Sequence, residues 1–466
     1  MERSSPQTSA RDEIPAHRAV IFSVVGMALL MSSIDGSIVA TALHAIQRGL
    51  HASINWTSWT ITAYSVGIVL MLSLAGNASA RYGRRRFFLF SVLVFATASL
   101  CCGLATNIYL LIGLRVVQAA GGAGFTPSAT AIVVEQFGSA RDKAVGLFGS
   151  IFPIGTMIAP IFGGLFVAYW SWRGIFFVNV PIGLVLVLLC LKYVPRDPER
   201  TLGERRPVDV SGMLLLGMGM LSLMVGISEL GEPGRRVWTP VVIAPIVVGV
   251  VGIGQFVRHI RGVANPFISP RLISGRGFAA VNMMNVLYGG ATTGLIALVP
   301  LYAVDRYHMH ALGSGTLLAA EGGAVIVMST IAAMALRVTG YRLPLFAGAT
   351  ITAVGIAALA VRPSGLSAYE WLTIASCAIG IGFGMAAPAG RNAGLQLAPQ
   401  DSASIAALRS TTLFVGSIIT ISITTAVLAQ AANPGEVQAV IYVAFALLLL
   451  LCLPVISRIP EHRGSW

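Results

Sequence analysis

Apolar runs of roughly 20 residues recur along the whole chain, and they constrain its fold more than any other feature. Their approximate bounds are 20–43, 55–78, 87–105, 108–134, 144–169, 174–194, 210–230, 238–258, 278–303, 312–336, 343–362, 369–390, 405–430 and 437–457. A run of this length, coiled as a helix, crosses the ~30 Å apolar core of a bilayer. Inside lipid every backbone N–H and C=O must be satisfied within the protein, so such segments can only be helices. The expected fold is therefore an all-α polytopic membrane protein with about fourteen spans. Composition agrees: only 11% of residues are charged, against about 25% in a soluble domain.

The distribution of cations predicts an orientation. With the N-terminus cytoplasmic, the inner segments hold Arg81, Arg84, Arg85, Arg86, Arg141, Lys143, Lys192, Arg258, Arg271, Arg337 and Arg342, among others. The outer loops hold only Arg48, Arg173, Arg235, Arg236, Arg306 and Arg362. This bias places both termini in the cytoplasm and the chain in the inner (plasma) membrane. Trp56, Trp59, Trp170, Trp172, Trp238 and Trp371 all fall at outer boundaries, where amphipathic rings settle. The net charge of +13 is thus explained by topology, and no nucleic-acid partner is expected. The five cysteines lie in apolar segments, with no CxxC or HExxH spacing, so neither a disulfide framework nor a metal site is expected.

Two charged seams divide the chain, at 195–207 and 265–276. The expected organisation is a cytoplasmic tail (1–19), a six-helix bundle (20–194), a linker region with two inserted helices (195–276), a second six-helix bundle (277–457) and a short cytoplasmic tail (458–466). Arg81–Phe90 and Arg337–Phe346 occupy matching loops of the two bundles, a faint internal repeat of the kind found in secondary transporters.

A few residues break the apolar pattern. Asp35 lies well inside the first run, where a carboxylate costs roughly 2.5–3.5 kcal/mol. It lowers that cost by pairing, by facing a wet cavity or by holding a proton, and an acid that gains and loses a proton in the membrane is a coupling device. The plain alternative is a structural acid bonded to a neighbouring helix. Arg115, in the fourth run, stays charged and needs a partner; it either polarises a proton relay with an acid such as Asp35 or is capped by carbonyls. Glu321, in the tenth run, reads as a second proton site, a contact for a cationic substrate, or a buried neutral carboxyl. In the fifth run, Gly146, Gly155, Ala159, Gly163 and Gly164 are spaced for close helix packing, and Pro153 and Pro160 bend the axis. Gly76 and Gly83 suit a tight turn in the basic loop GNASARYGRRR. Gln118, Asn282, Asn285, Tyr288 and Asn392 are candidates to line a central cavity, or else bonds between helices.

In these residues the chain resembles the major facilitator superfamily, in particular its fourteen-helix drug:proton antiporter branch. Asp35, Ser37, Ile38, Val39, Ala42 and Leu43 are similar to the branch's first-helix pattern, from which Ala40 and His44 depart. Gly76, Arg81, Gly83, Arg84 and Arg85 resemble the family's inner-loop motif, with Ala80 in place of its aspartate. The resemblance implies a weakened or rebuilt inward-gate latch. Arg115, Gln118 and Gly121 resemble the R-x-x-Q-G-x-G motif, which implies a role for Arg115 in proton transfer. Gly146, Gly155, Pro160, Gly163 and Gly164 resemble the antiporter motif G-x8-G-x3-G-P-x2-G-G, with Ala159 for one glycine. Trp172, Arg173, Phe176, Asn179, Pro181 and Gly183 resemble the run that opens the sixth helix.

The resemblance implies a major facilitator fold of two six-helix bundles plus two inserted helices. It implies a monomeric antiporter in the lipid bilayer, exchanging protons for a small hydrophobic or cationic substrate, with Asp35, Arg115 and Glu321 as coupling residues. The same fold would serve an exporter of a metabolite, lipid or siderophore. A channel or receptor is disfavoured by the buried acids and the lack of a sizeable soluble domain. No cluster of His, Cys and acids offers an enzyme's constellation, and no GxxxxGK[ST] loop is present. The energy source is then the proton gradient, with no cofactor.

Overall fold

The computed structural model describes residues 18–137, 141–197, 209–397, 402–459 and 461, apart from positions 233, 237, 265, 267, 276 and 362–364. Most of both expected tails, and residues 198–207 of the first seam, lie outside the described residues. The first group of helices is α1 (Arg18–Gly49), α2 (Ile54–Tyr82), α3 (Arg84–Leu104), α4 (Ile108–Gly122), α5 (Phe125–Phe137), α6 (Arg141–Tyr169), α7 (Gly174–Phe177) and α8 (Asn179–Tyr193). A pair follows, α9 (Val210–Leu230) and α10 (Pro240–Gly262), then the short α11 (Pro270–Ser274). The last group is α12 (Phe278–Tyr288), a π-helical segment (Gly289–Leu295), α13 (Val299–Tyr307), α14 (Ala311–Thr339), α15 (Arg342–Ala360), α16 (Ala368–Leu397), α17 (Ser402–Ala429), α18 (Pro434–Leu451) and α19 (Leu453–Ile456). Among the described residues, eleven helices are long and apolar enough to cross a membrane, or twelve counting one bent pair. The helices over the second and fifth expected spans, α2 and α6, are not among them.

Helix starts follow local chemistry. The side chains of Ser53, Asn107 and Asp209 accept from Trp56 N, Leu110 N and Gly212 N, satisfying orphan donors of α2, α4 and α9. The ninth expected span, 278–303, is broken. Phe278–Leu295 and Val299–Tyr307 meet at 44°. Pro300 has no N–H to continue the ladder, and the π turn before it packs its glycines directly on α17. A Cβ at Gly290 would stand 2.5 Å from Thr420 Oγ1, and one at Gly294 2.9 Å from Thr420 Cβ.

The packing defines two ends. α1 and α6 run parallel, with Gly26 on Ile151, Gly155 on Ser33 and Gly163 on Thr41. α14 runs antiparallel to α6, with Gly315 on Pro160 and Gly322 on Met157. Arg342 Nε donates to the Ile459 carbonyl (2.8 Å), so the last helix ends on the side where α1 begins. This side is called the terminal face. Near the opposite face the two groups share one apolar cluster, in which Ile38, Leu43 and Ile46 meet Leu298, Leu301 and Ile421. Ser58 and Thr425 add a hydrogen bond of 3.0 Å there. Toward the terminal face the clusters separate. One holds only first-group residues such as Ile21, Phe88 and Phe125, and others hold last-group residues such as Leu336, Leu345 and Leu408. The two groups are thus joined at the opposite face and part toward the terminal face.

Candidate functional site

Asp35 sits halfway along α1, 1% exposed, and Arg115 of α4 is fully buried beside it. Arg115 Nη1 donates to Asp35 Oδ2 at 2.6 Å. The second oxygen, Oδ1, accepts from Gln118 Nε2 (2.8 Å) and Asn179 Nδ2 (3.0 Å). Both amides also donate to Ser99 Oγ (3.1 and 2.9 Å), whose hydroxyl donates to the Phe176 carbonyl. Arg115 Nε donates to the Thr60 carbonyl (2.9 Å), and Nη1 also reaches Gln118 Oε1 (2.7 Å). The Tyr64 ring lies under the guanidinium at 4.0 Å. In such a dry site a buried pair stands only if its remaining lone pairs and protons are satisfied. Here α1 supplies the acid, α4 the cation and one amide, α8 the other amide and α3 the hydroxyl. Arg115 Nη2 and the Tyr64 hydroxyl are left without a hydrogen-bond partner among the described residues.

The sequence marks Asp35, Arg115 and Gln118, gives Asn179 no role and leaves Ser99 and Tyr64 unmarked. A neutral hydroxyl or ring in an apolar run carries no sign of its partner; only the acid and the cation announce a cost that something must answer.

The small residues of α6 lie against α1 on both sides of Asp35. A Cβ at Gly155 would stand 2.5 Å from Ser33 Oγ, and one at Gly163 3.0 Å from the Ile38 carbonyl oxygen. Ala159 and Pro160 are buried, as is Gly164. The side-chain surroundings of Gly146 lie outside the described residues. The close approach of α1 and α6 thus needs glycine at two positions, one against Ser33, two residues before Asp35, the other against Ile38 and Thr41, three and six residues after it.

In the basic loop the turn falls on Gly83 alone, with φ +97°. Gly76 is inside α2, open on its side-chain side, so the expectation of a turn there is corrected: the helix runs on to Tyr82. Asp197 takes the place opened by Gly83 and accepts from Arg85 N (2.9 Å) and Arg86 N (3.1 Å), capping α3. Arg84 pairs with Glu135 and donates to the Ala131 carbonyl, and Arg85 donates to the Leu191 carbonyl (2.7 Å). Arg81 stacks on Tyr82 at 5.2 Å. All these partners belong to the first group or to the segment just after it.

In the last group, Glu321 is half-buried on α14, one residue before the contact of Gly322 with Met157 of α6. No hydrogen bond or ion pair reaches its carboxylate among the described residues. Asn282 donates to the Leu272 and Ile273 carbonyls, tying α11 to α12. Tyr288 donates to the Leu345 carbonyl (3.3 Å). Asn285 is buried with its Nδ2 unpartnered, and Asn392 is half-buried. Among the described residues, no three His, Cys, Asp or Glu side chains are grouped to hold a metal.

Two groups of apolar helices, joined at one face and parted at the other, with a sealed acid–arginine pair inside the first group, are the architecture of a multi-pass membrane protein. The profile of the Major Facilitator Superfamily matches residues 25–421, and the chain belongs to that family. It is 31% identical over 333 residues to Multidrug resistance protein B homolog of Mycobacterium tuberculosis, covering 71% of this chain and 61% of that protein. It is 31% identical over 302 residues to Multidrug resistance protein 3 of Bacillus subtilis, covering 64% and 58%. With Lincomycin resistance protein of Streptomyces lincolnensis the identity is 29% over 311 residues, covering 66% and 64%. The chain thus spans less than two thirds of the length of these relatives. Its fold is similar to that of a bacterial homolog of the human lysosomal transporter Spinster in an inward-facing and occupied conformation (TM-score 0.69, 14% identity, 95% of this chain and 97% of that one). It is also similar to the xylose transporter XylE from E. coli in a partially occluded inward-open conformation (TM-score 0.65, 13% identity, 97% and 100%).

Proposed function

We propose that the protein is a proton-coupled antiporter of the inner membrane, with cytoplasmic termini, that exports small hydrophobic or cationic compounds by alternating access. The observation that carries the reading is the sealed carboxylate of Asp35, clasped by Arg115, Gln118 and Asn179. The resistance-protein names of the relatives support the direction and the cargo class. In this reading the terminal face, toward which the two groups part, is cytoplasmic. A proton arriving on Asp35 cancels the charge opposite Arg115 and removes an acceptor from both amides. The clasp loosens, and α1 is freed to shift along the glycine face of α6 while the opposite face opens. Release of the proton restores the clasp. Glu321, next to the contact of Gly322 with Met157, serves as a second acidic contact, for a proton or a cationic cargo. The proton gradient supplies the energy, and the membrane potential adds ~2.3 kcal/mol per charge per 100 mV. No cofactor takes part, and a monomer suffices.

The test uses inside-out vesicles with an imposed pH gradient, into which lipophilic cations and lincomycin are added while lumenal protons are followed. The expected result is proton release on addition of cargo, abolished by Asp35→Asn at unchanged expression. Arg115→Lys is expected to impair it more than Arg258→Lys. Uphill transport by the Asp35→Asn protein would overturn the reading.

A further inference from the structure

Arg409 stands in the second turn of α17, near the terminal face. No hydrogen bond or ion pair reaches its guanidinium among the described residues, and its Nε is buried with no partner. The charge of Arg391, exposed on α16, acts on it as a second cation. An arginine does not give up its proton, so this charge cannot be removed by burial. Arg409 lines a small cavity, of about 10 Å³, with Asn285, Tyr288, Phe383, Gly390 and Leu413. Asn285 is 6% exposed, and its Nδ2 has no partner. The Tyr288 hydroxyl is already committed to the Leu345 carbonyl. At Gly390 a Cβ would only touch Leu345 Cδ2 (3.9 Å) and Asn285 Oδ1 (4.0 Å), so the backbone there does not crowd the two donors. Two unsatisfied donors, one charged and one neutral, therefore border one cavity inside the last group. The cavity has room for one small end group and not for a whole cargo, the rest of which would stay outside it.

We propose that Arg409 and Asn285 form a subsite for a single carboxylate group, with Arg391 adding positive charge beside it. A guanidinium offers paired N–H donors that match the two oxygens of a carboxylate, and the amide N–H of Asn285 completes the set. The inference rests on the export reading only in assigning that carboxylate to a cargo; it adds acidic or zwitterionic compounds to the cationic class.

The experiment reads binding, not transport. The full chain is purified in detergent, and thermal unfolding is followed as sodium benzoate replaces sodium chloride at constant ionic strength, with benzamide as the uncharged control. The expected result is a saturable rise in Tm with benzoate and none with benzamide. Arg409→Gln should weaken the apparent affinity about tenfold or more, with Arg409→Lys intermediate because it keeps the charge without the fork. Asn285→Ala should weaken it too, and serves if the arginine variant does not fold. No rise over chloride, an equal rise with benzamide, or a benzoate response unchanged in Arg409→Gln overturns the subsite. Loss of transport with the benzoate response intact would overturn the export reading and leave the subsite standing.

Discussion

Replacing Asp35 by Asn removes the charge opposite Arg115 while keeping the side-chain shape. The carboxylate takes one bond on Oδ2 and two on Oδ1. An amide at that position has one oxygen and one NH2. With its oxygen toward Arg115, its NH2 faces the NH2 groups of Gln118 and Asn179. With its oxygen toward those amides, its NH2 faces the guanidinium. Either way at least one buried donor is stranded, at about 1–3 kcal/mol. The cation also loses its counter-charge, and breaking one side of a buried pair costs ~3–5 kcal/mol in all. The bonds of Arg115 to the Thr60 carbonyl and Gln118 Oε1 persist and hold the loss near the lower figure. Removing both partners, as Asp35→Asn with Arg115→Met, strands far less. A double-mutant cycle should therefore return a coupling energy of about 2–3 kcal/mol. The assay is equilibrium unfolding of the detergent-solubilised chain on titration with SDS, read by Trp fluorescence. Additivity of the two single changes within ~0.5 kcal/mol would refute the argument that the pair is a mutually dependent unit.

Three further outcomes follow from the same contacts. Gly163→Val puts methyl groups against Thr41 and the Ile38 carbonyl, so transport should fall at least about tenfold, with the purified variant still helical by circular dichroism. Asp197→Ala removes two bonds at the start of α3 and should lower stability by about 1–2 kcal/mol in SDS unfolding, with no such loss in Asp197→Asn beyond half of that. Glu321→Gln breaks no described bond, so it should leave unfolding within about 0.5 kcal/mol while lowering proton-coupled transport of a lipophilic cation in the vesicle assay.

The membrane-helical fold was legible because lipid allows so few backbone solutions that length and apolarity almost decide the matter. Charge carried the site in the same way. Asp35 and Arg115 stood out as costs within apolar runs, and the structure brings them to 2.6 Å of each other. What escaped notice was neutral or ambiguous. Ser99 and Tyr64 look like any residues of a buried helix. Arg391 and Arg409 sit near span ends, where a cation reads as a loop anchor, and only the missing partners of Arg409 mark it. Asn282 resembled a cavity residue, yet it fastens α11, a contact set by a turn that periodicity does not reveal. The break after Tyr288 was hidden because two adjacent glycines in an apolar run suit a straight helix as well as a π turn.

The inserted pair has a consequence for how the molecule moves. At the opposite face α9 is fastened to α2: Asn55 donates to the Ser228 carbonyl, Trp59 to Ser228 Oγ (2.6 Å) and Ser53 to Glu232 (2.9 Å). It is also fastened to α17, where Gln430 donates to the Leu230 carbonyl and Gly231 abuts Ala426. One helix thereby straps both sides of the joint. Prying that face apart must tear the strap from one side, breaking either the bonds to α2 or the packing and bond on the side of α17. The extra helices therefore weight the resting equilibrium toward the conformer in which that face is closed.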